Sequence, residues 1–216
     1  VLKTGEFEAM VSPNRHPAQR ALCFWYRGRA MASLGQLANA LSAFKEAERF
    51  FLLVDDVVHA AHCLLGQARL ACQQGQHSSS VALAESAHVD LERSGARAGV
   101  ADALNDLGEL ARLVGDHGAA ESHYREARRR YEQVGSPHII YAELNLAAVL
   151  LARGSYLEAK VFSEKVLDVA RRQGRRLHMT VAYVFLLSTA AQEHDWHGWD
   201  THLRQIRGLL KQTLVV

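Results

Sequence analysis

Glycine recurs along this chain on a fixed period. Gly35, Gly75, Gly115 and Gly154 follow one another at 40, 40 and 39 residues, and Gly95, Gly135 and Gly174 at 40 and 39. Asp55 fills the slot one period before Gly95. Two interleaved series with one period mean two turns per repeat. Only glycine enters the left-handed backbone region freely, so a glycine after an apolar periodic stretch reads as a helix end. The stretches between are amphipathic: Leu104, Leu107, Leu110, Ala111 and Val114 keep the spacing of one buried helical stripe. Ser136-Pro137 reads as an N-cap followed by proline in the first helical turn. The chain therefore predicts helix, tight turn, helix, repeated: an all-α fold in which neighbouring pairs bury each other's apolar faces.

Small residues recur in the same phase. Counting in steps of 40 along the first helices gives Gly28, Ala68, Gly108, Ala148 and Ser188, with Met31, Ala71, Ala111, Leu151 and Ala191 three further on. In the second helices Ala40, Ser80 and Ala120 share a position, joined by Ala159 after a one-residue deletion. Phe44, Ala84 and Tyr124 follow four later, then Ala47, Ala87 and Ala127. Small residues let paired helices approach closely, and the aromatic fills the gap toward the next pair.

This order of small, large and aromatic positions resembles the tetratricopeptide repeat (TPR) family. It is clearest in Gly28, Met31, Gly35, Ala40, Phe44, Ala47 and in Gly108, Ala111, Gly115, Ala120, Tyr124, Ala127. The likeness covers about Arg20 to Leu210 and departs from the usual period of about 34 residues. The longer period resembles the long-helix variant of kinesin light chains, spindle-orientation adaptors and bacterial signalling regulators. Heat-type and armadillo repeats have similar periods but lack this Gly/Ala/aromatic phase. The fifth unit is degenerate, with Trp199 where a small residue belongs and His194 in place of the turn glycine. The resemblance implies a right-handed α-solenoid over 18–214, with five antiparallel helix pairs at about 18–55, 56–95, 96–135, 136–174 and 175–214. Residues 1–17 are expected to be the tail of an earlier helix (Phe7, Met10) and a linker (Pro13, Pro17). The apolar Leu209, Leu210, Leu214, Val215 and Val216 suggest repeats taken from a longer protein, or an end that packs in a dimer.

Composition narrows the function classes. A net charge of +2 provides no global field toward nucleic acid or an anionic membrane. Cys23, Cys63 and Cys72 are odd in number and lack CxxC spacing, which predicts reduced thiols in a cytoplasmic compartment. No apolar run reaches membrane-spanning length, and Val1, Leu2, Lys3, Thr4 and Gly5 do not open a signal peptide. No phosphate loop, hydrolase elbow or zinc-protease motif occurs, so no catalytic site and no cofactor are expected. Twelve histidines are present, but His59 with His62, and His194 with His197, lack a third ligand at a metal-binding spacing. They read as surface histidines. Two basic runs, Arg125 with Arg128–Arg130 and Arg171, Arg172, Arg175, Arg176, are read as lying late in second helices. Cations there complement the helix dipole, and no base-stacking aromatics alternate with them, so nucleic acid is not the expected partner.

In the resembling family the first helices line a groove. Carried over by phase, this gives a row Trp25, Leu65, Asn105, Asn145, Phe185; a row Arg29, Arg69, Glu109, Val149, Thr189; and a row Ser33, Gln73, Leu113, Arg153, Glu193. Tyr26, Asp102, Asp106 and Arg112 lie beside them. Asn105 and Asn145, read as one repeat apart, could grip the amides of an extended peptide, or each could bond its neighbouring helix. Arg29, Arg69, Arg112 and Arg153 suit carboxylates of an acidic ligand, or could pair with Asp102, Asp106 and Glu109. Trp25 and Tyr26 read as aromatic anchors or as the lining against a preceding repeat. The expected function is a non-catalytic protein-protein interaction module: an adaptor, or the sensor part of a signalling protein. Self-association through the C-terminal helix with Trp196 and Trp199, and a regulatory arm binding a small ligand or nucleic acid, are the alternatives.

Overall fold

The computed structural model describes residues 16–213, the side chains of 212 and 213 excepted. The expectations for Phe7, Met10, Pro13, Leu214, Val215 and Val216 lie outside the described residues. Among the described residues there are ten α-helices and no strand: α1 (Pro17–Ser33), α2 (Leu37–Leu53), α3 (Val57–Gln73), α4 (His77–Ser94), α5 (Arg97–Leu113), α6 (His117–Gln133), α7 (Ile139–Ala152), α8 (Tyr156–Arg172), α9 (Arg176–Gln192) and α10 (Trp196–Thr213). Pro17 is the first residue of α1, where its missing N–H costs nothing, and so belongs to a helix rather than a linker.

All nine interhelical turns are built alike. The left-handed residue is Gly35, Gly75, Gly95, Gly115, Gly135, Gly154 or Gly174, and in the two remaining turns Asp55 (φ 59) or His194 (φ 54). Each turn carries the paired hydrogen bonds of a Schellman motif. In the first, the Gln36 N–H donates to the Met31 carbonyl at 2.9 Å and the Gly35 N–H to Ala32 at 3.0 Å. The residue after the turn opens the next helix. Where it is Asp56, Asp116 or Asp195, its carboxylate accepts from a backbone N–H three residues on and caps the helix. Ser136 behaves differently: its hydroxyl accepts from the His138 N–H, and α7 begins only at Ile139, after Pro137. This helix is 14 residues long where the others have 17 or 18.

The chain divides into two compact units, one ending at Leu110 and one beginning at Ala111. In the first unit α1 packs on α2, α2 on α3, α3 on α4, and α1 on α3, so the first helices lie side by side. Phe44 plugs this layer. A Cβ on Gly28 or Gly66 would come within 2.9 Å of its ring, so the two glycines set how closely α1 and α3 approach α2. In the second unit α7 and α9 likewise pack together, and Tyr124, with no exposed surface, takes the plug position among Ala147, Leu150 and Ala159. The second-helix framework Ala40, Ser80, Ala120, Ala159, Phe44, Ala84, Tyr124, Ala47, Ala87 and Ala127 is buried throughout.

The first-helix framework needs one correction. Successive turn residues stand 20 apart everywhere except between Gly135 and Gly154, where the step is 19, so the deletion falls within α7. Counted back from the turn, the counterparts of Gly28, Ala68 and Gly108 are Ala147 and Leu187, not Ala148 and Ser188. Burial agrees: Ala147 is fully buried, while Ser188 is exposed.

Candidate functional site

One residue of slip turns a helical position through about 100°. The row written as Arg29, Arg69, Glu109, Val149, Thr189 therefore mixes surface with core. Val149 and Thr189 are 0% and 1% exposed, and Val149 packs in the cluster around Tyr124. Val149 is framework and offers no surface to a partner. Counted from the turn, the row is Arg29, Arg69, Glu109, Ala148, Ser188, whose members are all exposed or half-buried. Asn105 and Asn145 likewise part company. Asn105 stands ten residues before its turn glycine and Asn145 nine, the position of Tyr26 and Asp106. The two asparagines are not one repeat apart on one row.

In the first unit the face carries aromatic and cationic groups. Trp25 is half-buried and Tyr26 is 56% exposed, their rings meeting edge-on at 5.0 Å. The Arg29 guanidinium lies 4.9 Å from the centre of the Trp25 indole. His59, edge-on to Trp25 at 6.4 Å, is held by Asp56 at 2.8 Å and stacks on Phe51. Arg69 reaches across to α5, its Nε and Nη2 donating to Asp106 Oδ1 at 3.2 and 2.9 Å. Asp106 is buried, and burial holds its carboxyl above the ordinary range against the pull of Arg69, with Asp102 and Glu109 pushing the same way as burial. Asn105 and Glu109, and Arg112 just inside the second unit, are half-buried, and none of the three is without a partner. Of the two readings for the arginines, internal pairing is what the geometry shows for Arg69.

In the second unit Asn145 is half-buried and Arg153 is exposed, paired with Glu121. A buried carboxylate that the sequence did not mark, Glu143, accepts from Arg128 Nε at 3.2 Å. Burial raises its pKa, opposed by Arg128 and Lys165. Arg128 thus belongs to the packing of α6 against α7. The rest of its basic run is engaged too: Arg125 with Glu121 and Glu158, Arg129 and Arg130 with Glu126. The bond from Arg129, followed by that from Arg130, holds the Glu126 carboxyl at about 2. In the later run Arg172 pairs with Asp168 at 2.7 Å, and Arg171 donates to the Tyr183 hydroxyl.

The three cysteines carry free thiols, and burial, with Glu48 and Asp56, pushes that of Cys63 up to about 12. Among the described residues no group of three or more His, Cys, Asp and Glu is placed to hold a metal ion. No helix among them is long and apolar enough to cross a membrane.

Comparison with known proteins places this geometry. Residues 100–134 match the tetratricopeptide repeat family model. No curated protein matches the sequence. Among solved structures, BtubC (BKLC) from P. vanneervenii aligns with a TM-score of 0.79 at 15% identity, over 99% of this chain and 87% of its own. A putative kinesin light chain of Podosopora anserina with nearly identical TPR-like repeats aligns at 0.70 and 15%, over 94% of this chain and 99% of its own. The Rap conjugation gene regulator of plasmid pLS20, in complex with the Phr* peptide, aligns at 0.75 and 17%, over 97% and 62%. At such identities the likeness is one of fold. The fold of the chain is TPR-like, all-α and built of antiparallel helix pairs.

Proposed function

We propose that the chain is a non-catalytic binding module that receives a peptide or helix of a protein partner on the side-by-side first helices of its units, as an adaptor or as the sensor part of a cytoplasmic signalling protein. The observation that carries this is the contrast along those helices. The positions seven residues before each turn are small and buried in the first four pairs, whereas their neighbours Tyr26, Arg29 and Arg69 are exposed and Asn105 and Glu109 half-buried. A framework that buries one stripe and sets aromatic, amide and charged groups at the surface beside it forms a chemically varied face on which a partner can dock. Arg112, Asn145 and Arg153 join the proposed contact set. The peptide complex of the Rap conjugation regulator supports the same reading by analogy of fold.

The test is retention of a partner from source-cell lysate on the immobilised chain. It is run beside a Tyr26→Ala/Asn105→Ala/Glu109→Ala variant of equal helicity by circular dichroism. Loss of the partner on the variant supports the first-helix site; equal retention moves the contact to the outer helices. A second reading, self-association through α10, is favoured by Trp196 and Leu210, 61% and 49% exposed on that helix. A monomer over a hundredfold concentration range in sedimentation equilibrium would rule it out.

A further inference from the structure

The second unit holds a cavity lined by none of the residues in the proposed contact set. It lies between α8, α9 and α10 and measures about 300 Å³. Its floor is apolar: Leu167 of α8, with Leu186 and the ring of Tyr183 of α9, all buried in one core cluster. Its mouth is polar. Glu164, Asp168 and Arg171 follow one another along one face of α8, and His202 of α10 completes the rim. The charges at this mouth are unequally committed. Arg171 donates to the Tyr183 hydroxyl and lies 5.6 Å from the centre of that ring. Asp168 pairs with Arg172 at 2.7 Å, but both side chains are 70% exposed, and an exposed pair of this kind holds weakly. Among the described residues no hydrogen bond or ion pair engages Glu164; Lys160, one turn before it, is bonded to Glu193. His202 adds no positive charge. Its Nδ1 is enclosed and has no hydrogen-bond partner among the described residues, where an imidazolium would need an acceptor for its second N–H. Burial lowers the pKa of this ring, with Lys160 acting the same way and Asp195 and Glu164 opposing. An apolar floor below a neutral imidazole and an unpaired carboxylate favours a cation with an apolar body.

We propose that this cavity binds a small organic amine, its ammonium group on Glu164 with Asp168 beside it, and its apolar body over Leu167, Leu186 and Tyr183. A primary ammonium carries three N–H donors, so it can meet both carboxylates at once. The cavity stands at the small end of the range for ligand sites, which suits a ligand of one ring or a short chain. An anion of the same shape fits less well. Arg171 is turned to Tyr183, and Glu164 and Asp168 repel a second negative charge at the mouth. Two of the three walls are second helices, so the site holds whether or not a partner docks on the first helices.

The experiment is titration of the intact chain with phenethylamine, followed through the methyl NMR signals of Leu167 and Leu186. Phenethyl alcohol and phenylpropionate are titrated in parallel as neutral and anionic analogues. The amine should shift both leucines and bind at least about tenfold more tightly than either analogue, the size of one hydrogen bond to a charged group. Glu164 is exposed, so Glu164→Gln keeps the fold, which circular dichroism checks. This variant should weaken the amine about tenfold and leave the alcohol unchanged. Gln205→Trp, at the exposed rim, should weaken both by filling the mouth. Equal binding of amine and alcohol, or an amine affinity that Glu164→Gln leaves intact, reduces the site to an apolar cavity and overturns the inference. Tighter binding of phenylpropionate overturns it in favour of an anion held by Arg171. Binding that Gln205→Trp does not weaken places the amine elsewhere and overturns it as well. So does the absence of any shift at either leucine up to about 10 mM amine.

Discussion

The first unit buries Asp106 and the second buries Glu143, and each meets an arginine, but from different sides of the helix layer. Asp106 is met by Arg69 of the neighbouring first helix, whose side chain remains 62% exposed. Glu143 is met by Arg128 of a second helix, 26% exposed and flanking the Phe162 ring at 5.9 Å. In both cases burial outweighs the arginine and raises the carboxyl pKa. The consequence differs. The first pair lies in the proposed binding face, where an incoming partner meets Arg69. The second pair ties α6 to α7, its arginine standing on a second helix. A buried ion pair is weak evidence for net stability, because desolvation offsets the attraction, but removing one partner is costly. The two pairs should therefore respond to mutation in different currencies: binding in the first unit, stability in the second.

The largest effect tests where the second unit's face lies. Thr189 is 1% exposed and Ser188 exposed, so Thr189→Lys buries an unpaired charge and should cost more than about 4 kcal/mol in urea unfolding. Ser188→Lys should stay within about 0.5 kcal/mol. Similar losses from both would move the face and undo the comparison. Next, Arg128→Leu strands Glu143 and should cost about 3 kcal/mol while leaving partner retention unchanged.

Asp106→Asn sharpens the contrast. It should change stability at pH 7 by less than about 1 kcal/mol, because Asn still accepts from Arg69, yet alter partner retention by changing the charge of the face. The pH dependence has a defined sign. With its folded pKa raised above 3.8, Asp106 contributes stability that is fully present below 3.8 and lost as pH rises through the folded value. Stability of the Asp106→Asn protein, followed by thermal unfolding across acidic pH, should therefore lose less as pH rises than the parent does. The smallest effect compares the one non-glycine turn in each unit. Asp55→Gly and His194→Gly relieve a left-handed residue and should each stabilise by about 0.5 kcal/mol, the relief reduced by glycine's greater freedom when unfolded.

Most of the scaffold is legible in the glycines, because a left-handed turn residue is a local backbone requirement that one amino acid meets best. Even the exceptions, Asp55 and His194, stand in glycine slots and adopt the glycine conformation. The second-helix framework was readable for a similar reason: Ala40, Ala120 and Ala159 sit at a close approach that excludes larger side chains. The face was less so. A step of 40 carried past the short α7 puts Val149 and Asn145 one residue out of register. The shortened interval from Gly135 to Gly154 was the signal that locates the slip. The partners of buried charges had no such signal. Arg69 and Asp106 are 37 residues apart and Arg128 and Glu143 are 15 apart, and their meeting depends on how neighbouring pairs pack.

The central claim, that a partner docks on the first helices, is tested most directly by photo-crosslinking from within one unit. A photoreactive phenylalanine analogue is placed either at Tyr26 on first helix α1 or at Val89 on second helix α4, both exposed. With the captured partner bound, crosslinks should form from position 26 and not from position 89. Crosslinks from 89 with none from 26 would contradict the assignment and place the partner on the second helices.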